Sequence, residues 1–306
     1  MTLKRSSSSV LKSVIVLAIT IAIFYFIFTK IDFYSVMDVL SHANLFYLLI
    51  ALLLLFLIIP IIAKRWQIIL EIMGYKLPYK ECLNLIMAAL PLTSITPSKS
   101  GDVIKAYYLK NKIPASKTVG SVITERMFDF LTLVLFSLIG MTFCKKYELA
   151  FIALSIFIFI IAIFLLAHAG FNFRLPIKSS WNEKIQNLIL STKLLTKDKR
   201  VFSIILSYSL LIWSISILQT LIFFYALRIN VPLFFTMANI PIAIFIGLIP
   251  VTLGGMGTRD AAIIFLFSGF AAPEKLLGVG ILFSIVRYWL VSLIGIPFMW
   301  KMKSQE

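Results

Sequence analysis

Residues 250–260 read Pro250-Val251-Thr252-Leu253-Gly254-Gly255-Met256-Gly257-Thr258-Arg259-Asp260, and they interrupt a strongly apolar stretch that contains a further proline, Pro241. A related interruption stands earlier in the chain, where Pro91, Pro97, Gly101, Asp102 and Lys105 break another apolar stretch. In both, a proline is followed four positions on by a glycine (Pro97 to Gly101, Pro250 to Gly254), with charges soon after. Backbone N–H and C=O groups freed at such breaks find no water in hydrocarbon, so broken helices at membrane depth face protein or a wet cavity. The two breaks therefore point inward, toward a site.

The surrounding composition supplies the hydrocarbon. Of 306 residues, 60% are hydrophobic and 14% charged, with 27 Phe, more apolar surface than one soluble core can hide. Uncharged runs at 13–29 and 44–63 are each long enough to cross a core of about 30 Å. Further spans are expected at 119–144, 149–167, 201–227 and 276–300. The fold class is an all-α polytopic membrane protein: a single domain over 1–306, with about six full spans and two interrupted segments, near 79–109 and 232–270. Each interrupted segment is a re-entrant hairpin or a pair of crossings, which carries the count to eight if they are reckoned differently.

Charge sets the orientation. Lys4, Arg5 and Lys12 precede the first span and Lys64, Arg65, Lys76 and Lys80 follow the second, which places both flanks, and with them both termini, in the cytoplasm. Most of the net charge of +16 then lies on the cytoplasmic face of a plasma membrane, leaving Lys30, Lys145, Lys146, Arg228 and Lys275 outside. Loops this short serve topology, and nucleic acid is not an expected partner. The first apolar run exceeds a signal-peptide core and reads as a retained anchor. Residues 168–200 form a cytoplasmic amphipathic loop, with Trp181, Ile185, Leu188, Ile189 and Leu195 on one helical face, and 31–42 is a weaker counterpart outside. Cys82 and Cys144 fall near opposite faces, and His42 and His168 are far apart, so neither a disulfide nor a metal site is expected. By this topology the two interrupted segments enter from opposite sides, as in inverted-repeat transporters with a site near the midplane.

The candidate chemistry lies at the breaks. Gly254, Gly255 and Gly257 permit positive φ and close approach, and a helix restarts behind them. Its N-terminus favours an anion, and Arg259 adds a donor fork suited to phosphate. At the first break, Ser98 or Ser100 can cap the new helix beside Lys99 and Gly101, and Asp102 and Lys105 share a face and can pair. Glu125 and Asp129 lie four apart on one helical face, with Arg126 turned about 100° away. Arg287 stands alone within the last span. Pairing of Glu125 or Asp129 with Arg259 or Arg287 is the economical expectation, and either a purely structural ion-pair network or glycine-mediated packing with Arg259 bound to an internal carboxylate is the alternative.

These residues carry a resemblance. Pro97 with Gly101, Asp102 and Lys105, then Glu125, Arg126 and Asp129, then Pro250 with Gly254, Gly255, Gly257 and Arg259, and finally Arg287 with Tyr288 resemble the flippase-like membrane region of lysylphosphatidylglycerol synthases and their stand-alone prokaryotic relatives. In that family the arginine after the glycine cluster is commonly followed by Glu, where this chain has Asp260. The lysyl-transferring synthases also carry a soluble aminoacyltransferase domain that these 306 residues do not include, so the resemblance implies lipid translocation and not lysylation.

The expected function is thus movement of an anionic or head-group-modified lipid between leaflets, the lipid being a phospholipid or a polyprenyl phosphate. Lys99, Gly101, Lys105, Gly254, Gly255, Gly257, Arg259 and Arg287 are the headgroup candidates, and Asp102, Glu125, Arg126, Asp129 and Asp260 are the intramembrane polar or coupling groups. No cofactor is expected. No P-loop and no Asp-x-Asp pattern occurs in the sequence, which points away from ATP coupling and from a polyprenyl-phosphate-dependent transferase. The rival expectations are that transferase, or a membrane subunit with protein partners in envelope synthesis.

Overall fold

The computed structural model describes residues 7–169 and 198–303, and among these all regular structure is helical. Helix α1 (Ser7–Lys30) turns by 88° into the short α2 (Phe33–Ser41), whose N-cap Asp32 accepts from the Ser35 N–H and hydroxyl at 2.8 Å each. The polar cap stops α1 and lays α2 across its end. Helix α3 (Leu45–Ile72) starts from Asn44, whose side chain accepts from the Phe46 N–H. Then follow α4 (Tyr79–Ile95), a 3₁₀ segment (Pro97–Val103), α5 (Ile104–Tyr108), α6 (Ala115–Phe143) and α7 (Tyr147–Ala169). The second half holds α8 (Lys199–Ala226), α9 (Leu233–Leu248), a 3₁₀ turn (Leu253–Gly255), α10 (Thr258–Leu266), α11 (Pro273–Ser284), a π-helical stretch (Ile285–Leu290) and α12 (Val291–Lys303). The amphipathic loop expected at 168–200 lies outside the described residues except at its ends.

The outer surface is apolar: Leu53, Phe151 and Phe159 are each about two-thirds exposed or more. Such a surface suits lipid, and the protein is a multi-pass membrane protein. Four helical stretches (Leu45–Ile72, Tyr147–Leu166, Lys199–Ala226 and Pro273–Met302) are long and apolar enough to cross, and α1 with its bend into α2 adds a fifth. Helix α6 has the length, with 29 residues, but carries Lys117, Glu125, Arg126 and Asp129 along it.

Both interrupted segments are hairpins. The limb formed by the first 3₁₀ segment and α5 returns along α4, and Lys112 beyond it reaches Glu81 at the start of α4, at 2.5 Å. In the second segment α10 returns along α9, so that Phe267 and Phe270 meet Phe235 near the start of α9, at 5.4 and 4.7 Å between ring centroids. The returning helices α5 and α10 have 5 and 9 residues, about 8 and 14 Å at 1.5 Å per residue. Neither helix is by itself long enough to cross a hydrocarbon core.

The hairpins approach each other from opposite ends of the bundle. The Asn44 N–H donates to the Ala226 carbonyl at 2.8 Å, so the start of α3 and the end of α8 share one end, and the second hairpin begins there. The first hairpin begins after the other end of α3, some 42 Å away along a 28-residue helix. Their tips touch: a Cβ at Gly254 would lie 2.4 Å from the Ser94 carbonyl oxygen. Gly254 also has φ +57°, so only glycine meets both demands without strain.

Candidate functional site

At the first hairpin, ionised side chains from α3, α6 and the hairpin's return limb converge in a buried network, with Thr93 of α4 and Ser209 and Trp213 of α8 around them. Arg65, in α3 about two turns before its end, donates from Nη1 to Asp129 Oδ1 (2.7 Å) and Ser209 (2.8 Å), and from Nη2 to Glu125 Oε1 (3.2 Å). Lys105 Nζ lies 3.6 Å from Glu125 Oε2, 3.5 Å from Asp102 Oδ1 and 4.8 Å from the centroid of the Trp66 ring. Arg126 bridges Asp102 and Asp129, the latter at 3.2 Å. Trp213 Nε1 and the Thr93 hydroxyl complete the carboxylates' shells, donating to Asp129 (2.9 Å) and Asp102 (3.1 Å). Three cations face three carboxylates. Lys105 and Glu125 are 1% and 2% exposed, a burial that ionised groups tolerate only when paired and hydrogen-bonded.

The second hairpin builds a different cluster. Asp260 Oδ2 accepts from the Gly257 N–H (2.9 Å), and its Oδ1 accepts from Arg259 Nε (3.1 Å) and Nη2 (2.6 Å). Arg259 Nη2 also donates to Ser284 (2.7 Å), while its guanidinium lies 4.2 Å from the Phe283 ring centroid and 5.3 Å from that of Tyr288. Arg259 Nη1 is buried and has no hydrogen-bond acceptor among the described residues. Arg287 sits in the π-helical stretch and donates to the neutral amide oxygen of Gln219 (3.2 Å), whose NH₂ is held by the Ala51 carbonyl (2.6 Å). π-Helical turns often mark functional positions, because they re-aim one side chain at the cost of helix regularity.

Two cavities adjoin these clusters. One, of about 120 Å³, is lined by the ionic network together with Ser94, Arg287 and aliphatic side chains including Ile59, Ile86 and Leu90. The other, of about 20 Å³, room for about one water, is lined by Gly247, Gly254, Arg259, Phe283 and Arg287. Trp213, Arg287 and Tyr288 belong to both walls. The two hairpins thus share a polar, partly apolar-walled interior.

The profile described as "Lysylphosphatidylglycerol synthase TM region" matches residues 13–295. The chain belongs to that family. Among curated relatives, a UPF0104 membrane protein of Methanocaldococcus jannaschii is 28% identical, with 93% of each chain covered. A UPF0104 membrane protein of Methanothermobacter thermautotrophicus is 22% identical over 85% of this chain and 86% of its own, and one of Pyrococcus horikoshii is 24% identical over 84% and 87%. The family match spans both hairpins, so the tip-to-tip arrangement lies within its membrane region.

Several expectations change in this member of the family. Glu125 and Asp129 pair with Arg65, Lys105 and Arg126, and not with Arg259 or Arg287, because α3 and the first hairpin bring cations nearer to them than the second hairpin does. Arg126, turned about 100° from Glu125 around the helix, still reaches Asp102 and Asp129 through its long side chain. Asp102 and Lys105 do pair, but in a buried network. The helix N-terminus expected to receive an external anion is already capped by Asp260, and Arg259 spends two of its nitrogens on the same carboxylate. Gly101 donates its N–H to Thr96 (2.7 Å) within the first tip, and Gly255 and Gly257 take φ of +79° and +90° in the second. The Lys99 side chain lies outside the described residues. Arg65, Trp213 and Gln219 were missed as site residues. For Arg65 the signal was present: seven helical residues, among them Ile68, Ile69 and Leu70, continue beyond it, which sets it inside the helix and not at its mouth.

Proposed function

We propose that the protein moves the polar head of an anionic or head-group-modified lipid between the leaflets of the plasma membrane, as a transporter and not an enzyme. In this reading six helices cross, the two hairpins are re-entrant inverted repeats, and both termini are cytoplasmic. The observation that carries the proposal is the contact between two hairpin tips that start from opposite ends of the bundle and flank cavities lined by Arg126, Arg259 and Arg287. Packing supports the repeat: the long limb α4 rests on α12 at Gly295, and α9 rests on α6 at Gly140, where an added Cβ would come within 2.6 Å of the Met87 carbonyl oxygen and 2.3 Å of the Ala238 nitrogen respectively.

A charged head crossing hydrocarbon loses its hydration, and that loss is the barrier a transporter must offset. Guanidinium groups at the joined cavities replace water at the head, while aliphatic walls such as Ile59 and Leu90 let the chains stay in lipid. Alternating access follows if the tips part on one side at a time. Every carboxylate of the two clusters is held by a cation, so a proton placed on Asp102, Glu125 or Asp129 releases a positive charge toward the cavity, which is a route for coupling to an ion gradient. The enzymatic alternative has less support, because the same pairing leaves none of these carboxylates poised as a base.

Reconstitution into liposomes with fluorescent phosphatidylglycerol or a labelled polyprenyl phosphate tests the proposal. The protein should accelerate transbilayer movement of at least one of them. No movement of either above protein-free vesicles and above an Arg259→Ala variant would overturn it.

A further inference from the structure

We infer that the second hairpin holds a site for one singly charged oxyanion, gripped by Arg259 Nη1 and the Arg287 guanidinium, and that the ionic network at the first hairpin binds none. The inference rests on charge balance. Around the first hairpin, Arg65, Lys105 and Arg126 are matched by Asp102, Glu125 and Asp129, so the group is already neutral. An additional anion there would have to displace a carboxylate.

The second hairpin is not balanced. Asp260 answers Arg259, but Arg287 has only a neutral amide, Gln219, and among the described residues no carboxylate. One positive charge is left over where the two cavities meet at Arg287. An uncompensated guanidinium in a low-dielectric site is costly, and a bound monoanion removes that cost. Two further observations direct the anion to this place. Arg259 Nη1 has no acceptor among the described residues, although the residue is only 2% exposed and lines the smaller cavity. The guanidinium carbons of Arg259 and Arg287 stand 4.2 and 5.3 Å from the centroid of the same Phe283 ring, and both side chains line the same cavity. A planar fork matches the oxygens of phosphate or carboxylate, and charge-assisted hydrogen bonds of this type are among the strong ones.

The same chemistry has two sources, the phosphodiester of a lipid and a free inorganic anion. The inference deepens the transport reading by fixing the charge and the place of the bound group, and it is tested by binding, so that the two can fail separately. The purified protein in detergent micelles is titrated with short-chain phosphatidylglycerol, with short-chain phosphatidic acid and with nitrate, a singly charged inorganic oxyanion, at pH 8, following thermal stability and the fluorescence of Trp213, with Trp213→Phe used to assign the signal. At that pH a phosphomonoester carries about two charges, since its second pKa is about 6, whereas the diester carries one.

Phosphatidylglycerol should bind at least as tightly as phosphatidic acid, and Arg287→Gln should weaken it at least tenfold while Lys80→Gln, the same charge loss at an exposed position, leaves it within twofold. Arg287→Gln keeps a hydrogen-bonding side chain beside Gln219, and its unliganded thermal stability, at or above that of the parent, shows that it folds. Stabilisation by nitrate that also depends on Arg287 assigns the site to free anions, and stabilisation by the lipid alone assigns it to the headgroup; both support the site. Tenfold tighter binding of phosphatidic acid, or wild-type binding by Arg287→Gln, overturns it. Lipid movement in liposomes that persists in Arg287→Gln would sink this site and leave the transport reading standing.

Discussion

Arg65 holds two carboxylates with one guanidinium, and that fixes what its loss should do. Arg65→Met leaves Glu125 and Asp129 buried with a single cation fewer, and breaking a buried pair by removing one partner costs about 3–5 kcal/mol. Thermal unfolding in detergent should show that loss. Adding Asp129→Asn to Arg65→Met should recover part of it, since the second substitution removes the orphaned charge. A double variant no more stable than the single one would mean that the network is not balanced in the way its geometry indicates. Arg65→Lys should fall between, because an ammonium cannot reach Asp129, Ser209 and Glu125 together as the fork does. From sequence, Arg65 reads as one of several charges flanking a span. Its true position needs the helix boundary at Ile72, seven residues further on, which local pattern does not fix.

At the scale of elements, the hairpins depend on how closely their tips fit. Gly254→Ala would set a methyl carbon 2.4 Å from the Ser94 oxygen and force a residue with φ +57°, so the tips must separate or the turn must rebuild. Lipid movement should fall at least tenfold, while Gly269→Ala, where nothing lies within 4 Å, should leave it unchanged. Equal rates in the two variants would show that tip contact is not used. The latch at the other end of the first hairpin is a weaker device: Lys112 is more than half exposed, and a double-mutant cycle of Glu81→Gln with Lys112→Gln should return a coupling below about 1 kcal/mol. A larger coupling would place that pair in the working mechanism.

The hairpins were legible in the sequence because Pro97, Gly101, Pro250 and Gly254 break apolar runs in a way that lipid forbids. Their partners were not. Which cation reaches Glu125 depends on how α3, α6 and the first hairpin pack, and spacing along the chain carries no information about contacts between residues 60 positions apart. The capping of α10 by Asp260 was within reach, since a carboxylate three residues after Gly257 is the pattern of a helix that closes its own N-terminus.

For the whole molecule, the antiparallel hairpins and the charge distribution make one joint demand on topology. The first hairpin begins at the end of α3 that carries Lys76 and Lys80, and the second at the end that carries Arg228, with Lys275 just beyond its return limb. If the basic end is cytoplasmic, cysteines placed at Lys80 and Lys112 should resist a membrane-impermeant maleimide in intact cells, and cysteines at Arg228 and Lys275 should react. The native thiols do not blur the readout if Cys82, which is buried, and Cys144 are first replaced by Ser or Ala. Permeabilised cells should label all four positions, which checks that protection comes from the membrane and not from packing. Labelling of Lys80 and Lys275 positions from the same side would place both hairpins on one face. Tips that start from one face cannot meet head-on across the bilayer, so that result would remove the geometric basis for alternating access even if every ion pair were as described.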